Sequence, residues 1–468
     1  MTSKYDFGLI GLGVMGRNFI LNVADKGFTA FGNDLDAEKV NQLIQEGGDS
    51  QKINASYNLK TFVKALATPR KVMLLVPAGE IVDTVIESLL PLLDKGDIII
   101  DGGNSFFNDT DRREAYLKTK GVYFIGVGVS GGAKGARFGP SIMPGGSQDA
   151  YQHIKPIFEA VAAKYENESC VTYLGPKSAG NYVKMVHNGI EYALMQLTAE
   201  IYDLLKNVGK MNHEAIHHTY ATWNQGRLQS FLIEITAAIL IKNDELTNGY
   251  LVDMILDKAK QKGTGKWTSQ NAMDLGIPVP TIDMAVSMRK ISALKAERVK
   301  ADALYDRPNS KKIESSKLVD QCEKALYFAF IMAYAQGMHL LAKASEEYEY
   351  ELDLGDIAKI WRAGCIIRAS LLTDIAEAFK TEPELQNLLL ANSFVEKVTD
   401  TVGAARELVS YGATYGIPLS ALSNALSYFD TYTSKHLPMN LIQAQRDYFG
   451  SHTYERNDRE GIFHTKWE

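Results

Sequence analysis

At 468 residues the chain is roughly two to three times the length of a common domain, so more than one packed unit is expected. Apolar residues make up 46% and charged residues 23%, which excludes an intrinsically disordered chain, and a net charge of −6 gives no reason to expect nucleic acid or an anionic membrane as a partner. An anionic substrate therefore has to be met by local cations.

The first residues run almost directly into an apolar segment, with no signal-type core or cleavage site, so secretion is not expected. The apolar runs, such as residues 235–241, fall short of the roughly 20 residues a membrane span requires. Cys170, Cys322 and Cys365 are widely separated, which predicts neither a disulfide framework nor a zinc site and fits a reducing cytoplasm.

Short apolar runs at residues 7–10, 29–33, 71–76, 97–101, 123–129 and 171–174 alternate with amphipathic stretches, the βαβ pattern of a mostly parallel sheet. The first run opens into Gly11-Leu12-Gly13-Val14-Met15-Gly16, and residues 17–26 supply a helix. Strand, glycine turn and helix in that order make a dinucleotide site. Gly11 permits the turn, Gly13 admits a pyrophosphate and Gly16 allows close helix packing, while the helix N-terminus offers free N–H groups. A glycine turn with no ligand is the alternative.

The second run ends at Asp34-Leu35-Asp36, and Asp34 lies at the interval where a carboxylate accepts from the ribose 2′-hydroxyl and repels a 2′-phosphate. This predicts NAD rather than NADP. In the other reading Asp34 merely caps a helix starting near Ala37, and Lys39 meets a phosphate. The run at 97–101 leads into Gly102-Gly103-Asn104-Ser105, on the side of the sheet where ligands gather, so Asn104 is a candidate for touching cofactor and substrate. Ser130, Gly131 and Gly132 form a candidate carboxylate nest, with an ordinary loop as the alternative.

Past Ser178 apolar residues recur at helical spacing, as in residues 181–207 and 317–343, and the second half reads as almost entirely helical. Gly and Pro clusters at 262–266, 276–280 and 415–418 mark helix breaks. On the first of these helices Lys184, His187, Asn188 and Glu191 are spaced i, i+3, i+4, i+7 and share a face. A solvated Lys-Glu face is the bland reading, but Val183, Val186, Ile190 and Leu194 assign much of the remaining circumference to a core. Lys184 is the candidate general base, provided burial keeps it neutral, and Glu191 the candidate acid.

Lys262-Gly263-Thr264-Gly265-Lys266-Trp267-Thr268 suits a phosphate group, but it lacks the residue order and preceding strand of a P-loop. Arg289 by itself reads as a helix-surface arginine. From about residue 436 the chain is rich in aromatics, charges and histidine without a sustained apolar face, which suits a tail that docks elsewhere or, in the alternative, frays.

These segments together resemble the 6-phosphogluconate dehydrogenase family over essentially the whole chain. The resemblance is carried by residues 10–16, Asp101-Gly102-Gly103-Asn104-Ser105, Val129-Ser130-Gly131-Gly132, residues 184–192, residues 261–267 and residues 443–455. It implies an α/β Rossmann-type N-terminal domain (1–178), a large all-α domain (179–435) and a short C-terminal tail (436–468) that reaches the partner subunit of a homodimer. It also implies oxidative decarboxylation of 6-phosphogluconate to ribulose 5-phosphate without a metal.

By the same resemblance Lys184 is the general base, which first takes the 3-hydroxyl proton, and Glu191 is the acid that protonates C1 of the enediol. Asn104, Ser130, Gly131, Gly132, His187 and Asn188 orient the substrate. Tyr192, Lys262, Thr264, Arg289 and Arg446 hold its phosphate, and Arg446 and His452 complete the neighbour's site. The cofactor set is residues Gly11, Leu12, Gly13, Val14, Met15 and Gly16, with Asp34, Leu35, Asp36, Val76, Pro77, Ala78 and Asn104.

Three positions depart from the family pattern. Asp34-Leu35-Asp36 stands where NADP-using relatives carry Asn-Arg-Thr, and Pro77 stands where many carry lysine, both of which reinforce the NAD expectation. Ala133-Lys134 replaces residues that are often acidic and alters no expected role. The rival readings are a β-hydroxyacid dehydrogenase for a smaller, unphosphorylated acid, which has no need of Lys262, Arg289 and Arg446, and a silent dinucleotide-binding scaffold, which has no need of Lys184 and Glu191.

Overall fold

The computed structural model describes residues 4–48, 52–309 and 311–468. Seven strands form one sheet: β1 (Phe7–Ile10), β2 (Ala30–Asn33), β3 (Ile53–Ser56), β4 (Lys71–Leu74), β5 (Ile98–Asp101), β6 (Tyr123–Ser130) and β7 (Ser141–Gly146). Their order is β3-β2-β1-β4-β5-β6-β7, with β7 antiparallel to β6 and the other pairs parallel. Successive side chains serve opposite faces: Phe7 and Leu9 enter one core, while Ile10 enters another with Phe31 and Leu74. Between β1 and β4 the order reverses, and the crevice beyond their C-terminal ends is where such sheets take ligands.

Two strands of this sheet escaped the sequence reading and one expected strand is absent from it. β3 is the outer strand beside β2 and only partly buried, so its four residues carry no continuous apolar run. β7 contains Pro144 and two glycines, which an edge strand tolerates. Residues 171–174 instead run alongside β7 as coil, bonding through Leu174 N to Pro144 O at 2.9 Å and bridging at Ile142 and Val171.

Helix Ala179–Asp203 lies directly on β6 and β7. Glycines on both sides permit the approach: a Cβ on Gly128 would stand 2.4 Å from Lys184 Cβ, and one on Gly180 would stand 2.3 Å from Met143 O. Gly128 therefore sets the distance between helix and sheet. The helix then continues into the all-α part, whose centre is the 34-residue helix Ser315–Tyr348 packed against Asn392–Tyr415. The central helix is long and apolar enough to cross a membrane, which the sequence reading overlooked by considering only unbroken apolar runs, but 89% of its most apolar window is buried within the protein.

Buried Glu200, on the same helix as Lys184, accepts from Ala421 N at 2.8 Å and Leu422 N at 3.0 Å. It thereby caps helix Ser420–Tyr432 from another element. At the C-terminus, helix Met439–Gly450 and the coil after it are tied together by buried Asp447. Its carboxylate accepts from Thr453 N, Thr465 N and Trp467 Nε1 and pairs with His464. The tail is thus internally bonded rather than frayed, yet Phe449 and Ile462 remain 72% and 75% exposed.

Candidate active site

The glycine turn is shaped by close contacts on two sides and by space on the third. Gly11 has φ +99°, and a Cβ there would lie 2.5 Å from Leu75 O; at Gly16 it would lie 1.9 Å from Gly11 O. At Gly13 nothing stands within 4 Å, so the backbone ahead of helix Val14–Asp25 is open to a pyrophosphate. The residues present therefore fit a dinucleotide.

Asp34 faces this turn. Its Oδ2 accepts from Leu12 N at 2.8 Å and its Oδ1 from Asp36 N at 3.0 Å, with Lys39 Nζ 3.7 Å away. Asp36, not Asp34, caps helix Ala37–Gly47 by accepting from Glu38 N at 2.9 Å. Leu35 is 94% exposed.

A cleft of about 610 Å³ opens between the glycine turn and the helical part, lined on the sheet side by Met15, Val76, Pro77, Ala78 and Asn104 and on the helical side by Lys262 and Trp267. Asn104 is exposed at the cleft wall. The loop that carries it is braced by Asp101, which accepts from Gly103 N at 3.0 Å and Ser105 Oγ at 2.6 Å.

On the helix Ala179–Asp203, Lys184, His187, Asn188 and Glu191 do share a face. His187 Nδ1 stands 3.4 Å from Lys184 Nζ and 3.0 Å from Asn188 Oδ1, and its Nε2 stands 3.2 Å from Ser130 Oγ. This pattern assigns the ring proton to Nδ1, donating to Asn188, so that Nε2 accepts from the serine hydroxyl. Burial, then the neighbouring Lys184, hold the imidazole well below its ordinary range, and the ring is neutral.

Burial also lowers the Lys184 ammonium below the usual lysine value, opposed by the Glu191 carboxylate and by Cys365. The Glu191 carboxyl moves the other way: burial raises it, with Lys184 and Arg289 pulling it down. A lysine that gives up its proton more readily and a carboxyl that holds its own more tightly stand about two turns apart on one helix.

The cation cluster forms beside them. Asn188 Nδ2 donates to Thr264 Oγ1 at 3.2 Å, and Gly265 passes so close to the Tyr192 ring that a Cβ there would meet it at 2.5 Å. The Arg289 guanidinium carbon lies 3.4 Å from the centroid of that ring. Arg289 is therefore part of the site wall rather than an ordinary surface arginine. Gly131 and Gly132 both have positive φ and start helix Gly132–Phe138 beside Ser130.

Sequence reasoning missed the back wall. Trp361 meets the His187 ring edge-on with centroids 5.6 Å apart, and a Cβ on Gly131 would stand 2.5 Å from Gly364 O. These contacts join residues over 170 positions apart, and no local pattern announces them. Arg446 and His452 are not gathered at this site within one chain; Arg446 donates to Gln443 Oε1 at 3.2 Å, and His452 meets the Phe449 ring, both in the tail.

The family model for the NAD binding domain of 6-phosphogluconate dehydrogenase matches residues 6–175, and that for the C-terminal domain of 6-phosphogluconate dehydrogenase matches residues 180–467. The chain belongs to the 6-phosphogluconate dehydrogenase family. Among its relatives in that family, the NADP(+)-dependent, decarboxylating 6-phosphogluconate dehydrogenase of Bacillus subtilis (strain 168) is 51% identical over 99% of both chains. The decarboxylating 6-phosphogluconate dehydrogenase of Escherichia coli (strain K12) is 50% identical over 99% of both. The solved Plasmodium falciparum 6-phosphogluconate dehydrogenase, described in its apo form, with its cofactor NADP+ and with its substrate 6-phosphogluconate, superposes with a TM-score of 0.95. It is 46% identical, covering 99% of this chain and 100% of its own.

These relatives overturn the expectation of NAD: the Bacillus subtilis enzyme is NADP(+)-dependent and the Plasmodium falciparum structure takes NADP+ as its cofactor. The physical reason lies in Asp34. Both of its oxygens are engaged by backbone N–H groups and Lys39 offsets its charge, so it is not the free, repelling carboxylate that the sequence suggested. The loss of an arginine at Leu35 and of a lysine at Pro77 is accordingly a weaker guide than it looked.

Proposed function

We propose that this protein is a decarboxylating 6-phosphogluconate dehydrogenase, converting 6-phosphogluconate to ribulose 5-phosphate and carbon dioxide with NADP+ as hydride acceptor. The observation that carries the reading is the buried pair on one helix, Lys184 tending to neutral and Glu191 tending to protonated, beside a cleft that fits a dinucleotide. Full-length similarity to decarboxylating family members supports it.

In this reading Lys184 removes the proton of the substrate's 3-hydroxyl. A bound dinucleotide would supply the acceptor for the hydride that leaves C3, the carbon bearing that hydroxyl. The resulting ketone is β to the carboxylate, which makes loss of carbon dioxide facile. Lys184, now protonated, donates to the ketone oxygen as negative charge gathers there, and Glu191 delivers a proton to C1 of the enediol. Neutral His187 with Ser130, Asn188, Gly131, Gly132 and Asn104 orients the sugar acid. Tyr192, Lys262, Thr264 and Arg289 hold its phosphate, which explains how a chain of net charge −6 concentrates cations at one spot.

The same reading divides the chain at 178 and 435 and makes the tail, 436–468, part of a partner's site in a homodimer, with Arg446 reaching the phosphate and His452 beside it. The gap between the two family-model matches supports the first division, and the apolar side chains that the bonded tail leaves exposed support its docking on a partner. A cytoplasmic location accompanies it, in keeping with three buried free thiols. The deciding experiment follows absorbance of reduced nicotinamide with purified protein and 6-phosphogluconate, offering NADP+ and NAD+ separately. Turnover with NADP+ is expected, and no reduction with either cofactor would overturn the reading.

A further inference from the structure

The two lips of the dinucleotide cleft come from different strands. Pro77-Ala78-Gly79 follows β4, and Gly102-Gly103-Asn104 follows β5; all six residues line the cleft. Behind both stands Arg113, on helix Phe107–Lys120, with its side chain 2% exposed.

Arg113 grips the first lip directly. Its Nη2 donates to Gly79 O at 2.9 Å and to Asp83 Oδ2 at 2.8 Å, and its Nε donates to Asp83 Oδ1 at 2.9 Å. It reaches the second lip through Asp101. Arg113 Nη1 stands 3.6 Å from Asp101 Oδ2, and Asp101, itself buried, accepts from Gly103 N and Ser105 Oγ. From Gly79 to the residues on either side of Asn104 the path runs through hydrogen bonds except between Arg113 and Asp101, which meet only as a buried ion pair, Nη1 making no hydrogen bond.

A purely stabilising ion pair is the plain alternative. Burying charge is a poor way to gain stability, because desolvation offsets most of the attraction, whereas a planar guanidinium with fixed donor directions holds its partners at set distances. Here both ends of the path terminate on cleft-lining loops. We propose that Arg113 is a positioning residue for the nicotinamide dinucleotide, fixing the separation of the 77–79 and 102–104 lips through Gly79 O and Asp101.

The inference rests on the functional reading above, but its test does not require turnover. Calorimetric titration with NADPH measures dinucleotide binding alone. In Arg113→Lys, which keeps the charge but loses the fork, the NADPH Kd and the KM for NADP+ should rise about tenfold while the KM for 6-phosphogluconate stays within about twofold. Ser105→Ala removes only one bond to Asp101 and should raise the NADPH Kd about threefold; it decides the matter if Arg113→Lys does not fold. An unchanged NADPH Kd in a folded variant, or equal rises for dinucleotide and sugar acid, overturns the proposal. A parent protein that binds NADPH but does not oxidise 6-phosphogluconate overturns the functional reading and leaves this one standing.

Discussion

Lys184 and Glu191 are two charged residues of opposite sign, and in water each would hold its charge. Burial displaces both toward neutral, the lysine downward and the carboxyl upward, while their mutual attraction opposes it. The proposed base must be unprotonated and the proposed acid protonated, so kcat/KM should fall on both sides of a maximum, with limbs that belong to the pair. The acid limb arises as Lys184 takes up a proton below its lowered pKa. The alkaline limb arises as Glu191 ionises above its raised one, and Glu191→Gln should flatten it; an unaltered bell in that variant would remove Glu191 from its role. Lys184→Met should lower kcat by about 10²–10⁴-fold with NADPH binding unchanged by calorimetry. Beside the glycine turn, Lys39 is the cation nearest Asp34. Lys39→Ala should raise the KM for NADP+ about fivefold and leave that for NAD+ unaltered, as one exposed phosphate contact commands.

At the scale of elements, the helix Ala179–Asp203 does two jobs along its length: the early turns carry the polar face that meets Ser130 and Thr264, and Glu200 near its end caps helix Ser420–Tyr432. Burial pushes the Glu200 carboxyl up to about 7, against the pull of the Ala421 and Leu422 N–H groups. A carboxyl whose folded pKa exceeds its unfolded value near 4.5 contributes stability that is complete below that value and is lost as pH rises through about 7. Glu200→Gln cannot titrate. Its stability relative to the parent should therefore shift in its favour by up to about 3 kcal/mol between the acid and alkaline ends of that window, read by denaturant unfolding. A difference that stays constant with pH would refute the assignment.

At the scale of the whole molecule, one chain holds the proposed base, the proposed acid and the candidate dinucleotide cleft, whereas Arg446 and His452 make their contacts in the tail. If the tail serves a partner, two dead variants should complement each other. Lys184→Met and Arg446→Ala homodimers, each inactive, should regain activity to about a quarter of the parent when mixed under conditions of subunit exchange, because one site in each mixed dimer is intact. No recovery despite demonstrated exchange would put Arg446 in its own chain's site.

What the sequence determined by itself was whatever local periodicity encodes. The glycine turn between β1 and its helix, the shared face of Lys184, His187, Asn188 and Glu191, and the helical second half all follow from spacing along one element. So do the breaks at Gly263 and Gly416, where left-handed backbone favours glycine. Tertiary structure decided everything that depends on which elements meet. β3 and β7 owe their place to neighbouring strands more than to their own apolar content. Asp34 carries the right residue type at the right interval, but its two oxygens are already engaged by the turn and Lys39 stands beside it, a matter of three-dimensional proximity. Arg289 stacks on Tyr192, Trp361 backs His187 and Arg113 spans two lips because the packed chain brings distant segments within a few ångströms, and sequence spacing holds no record of such distances.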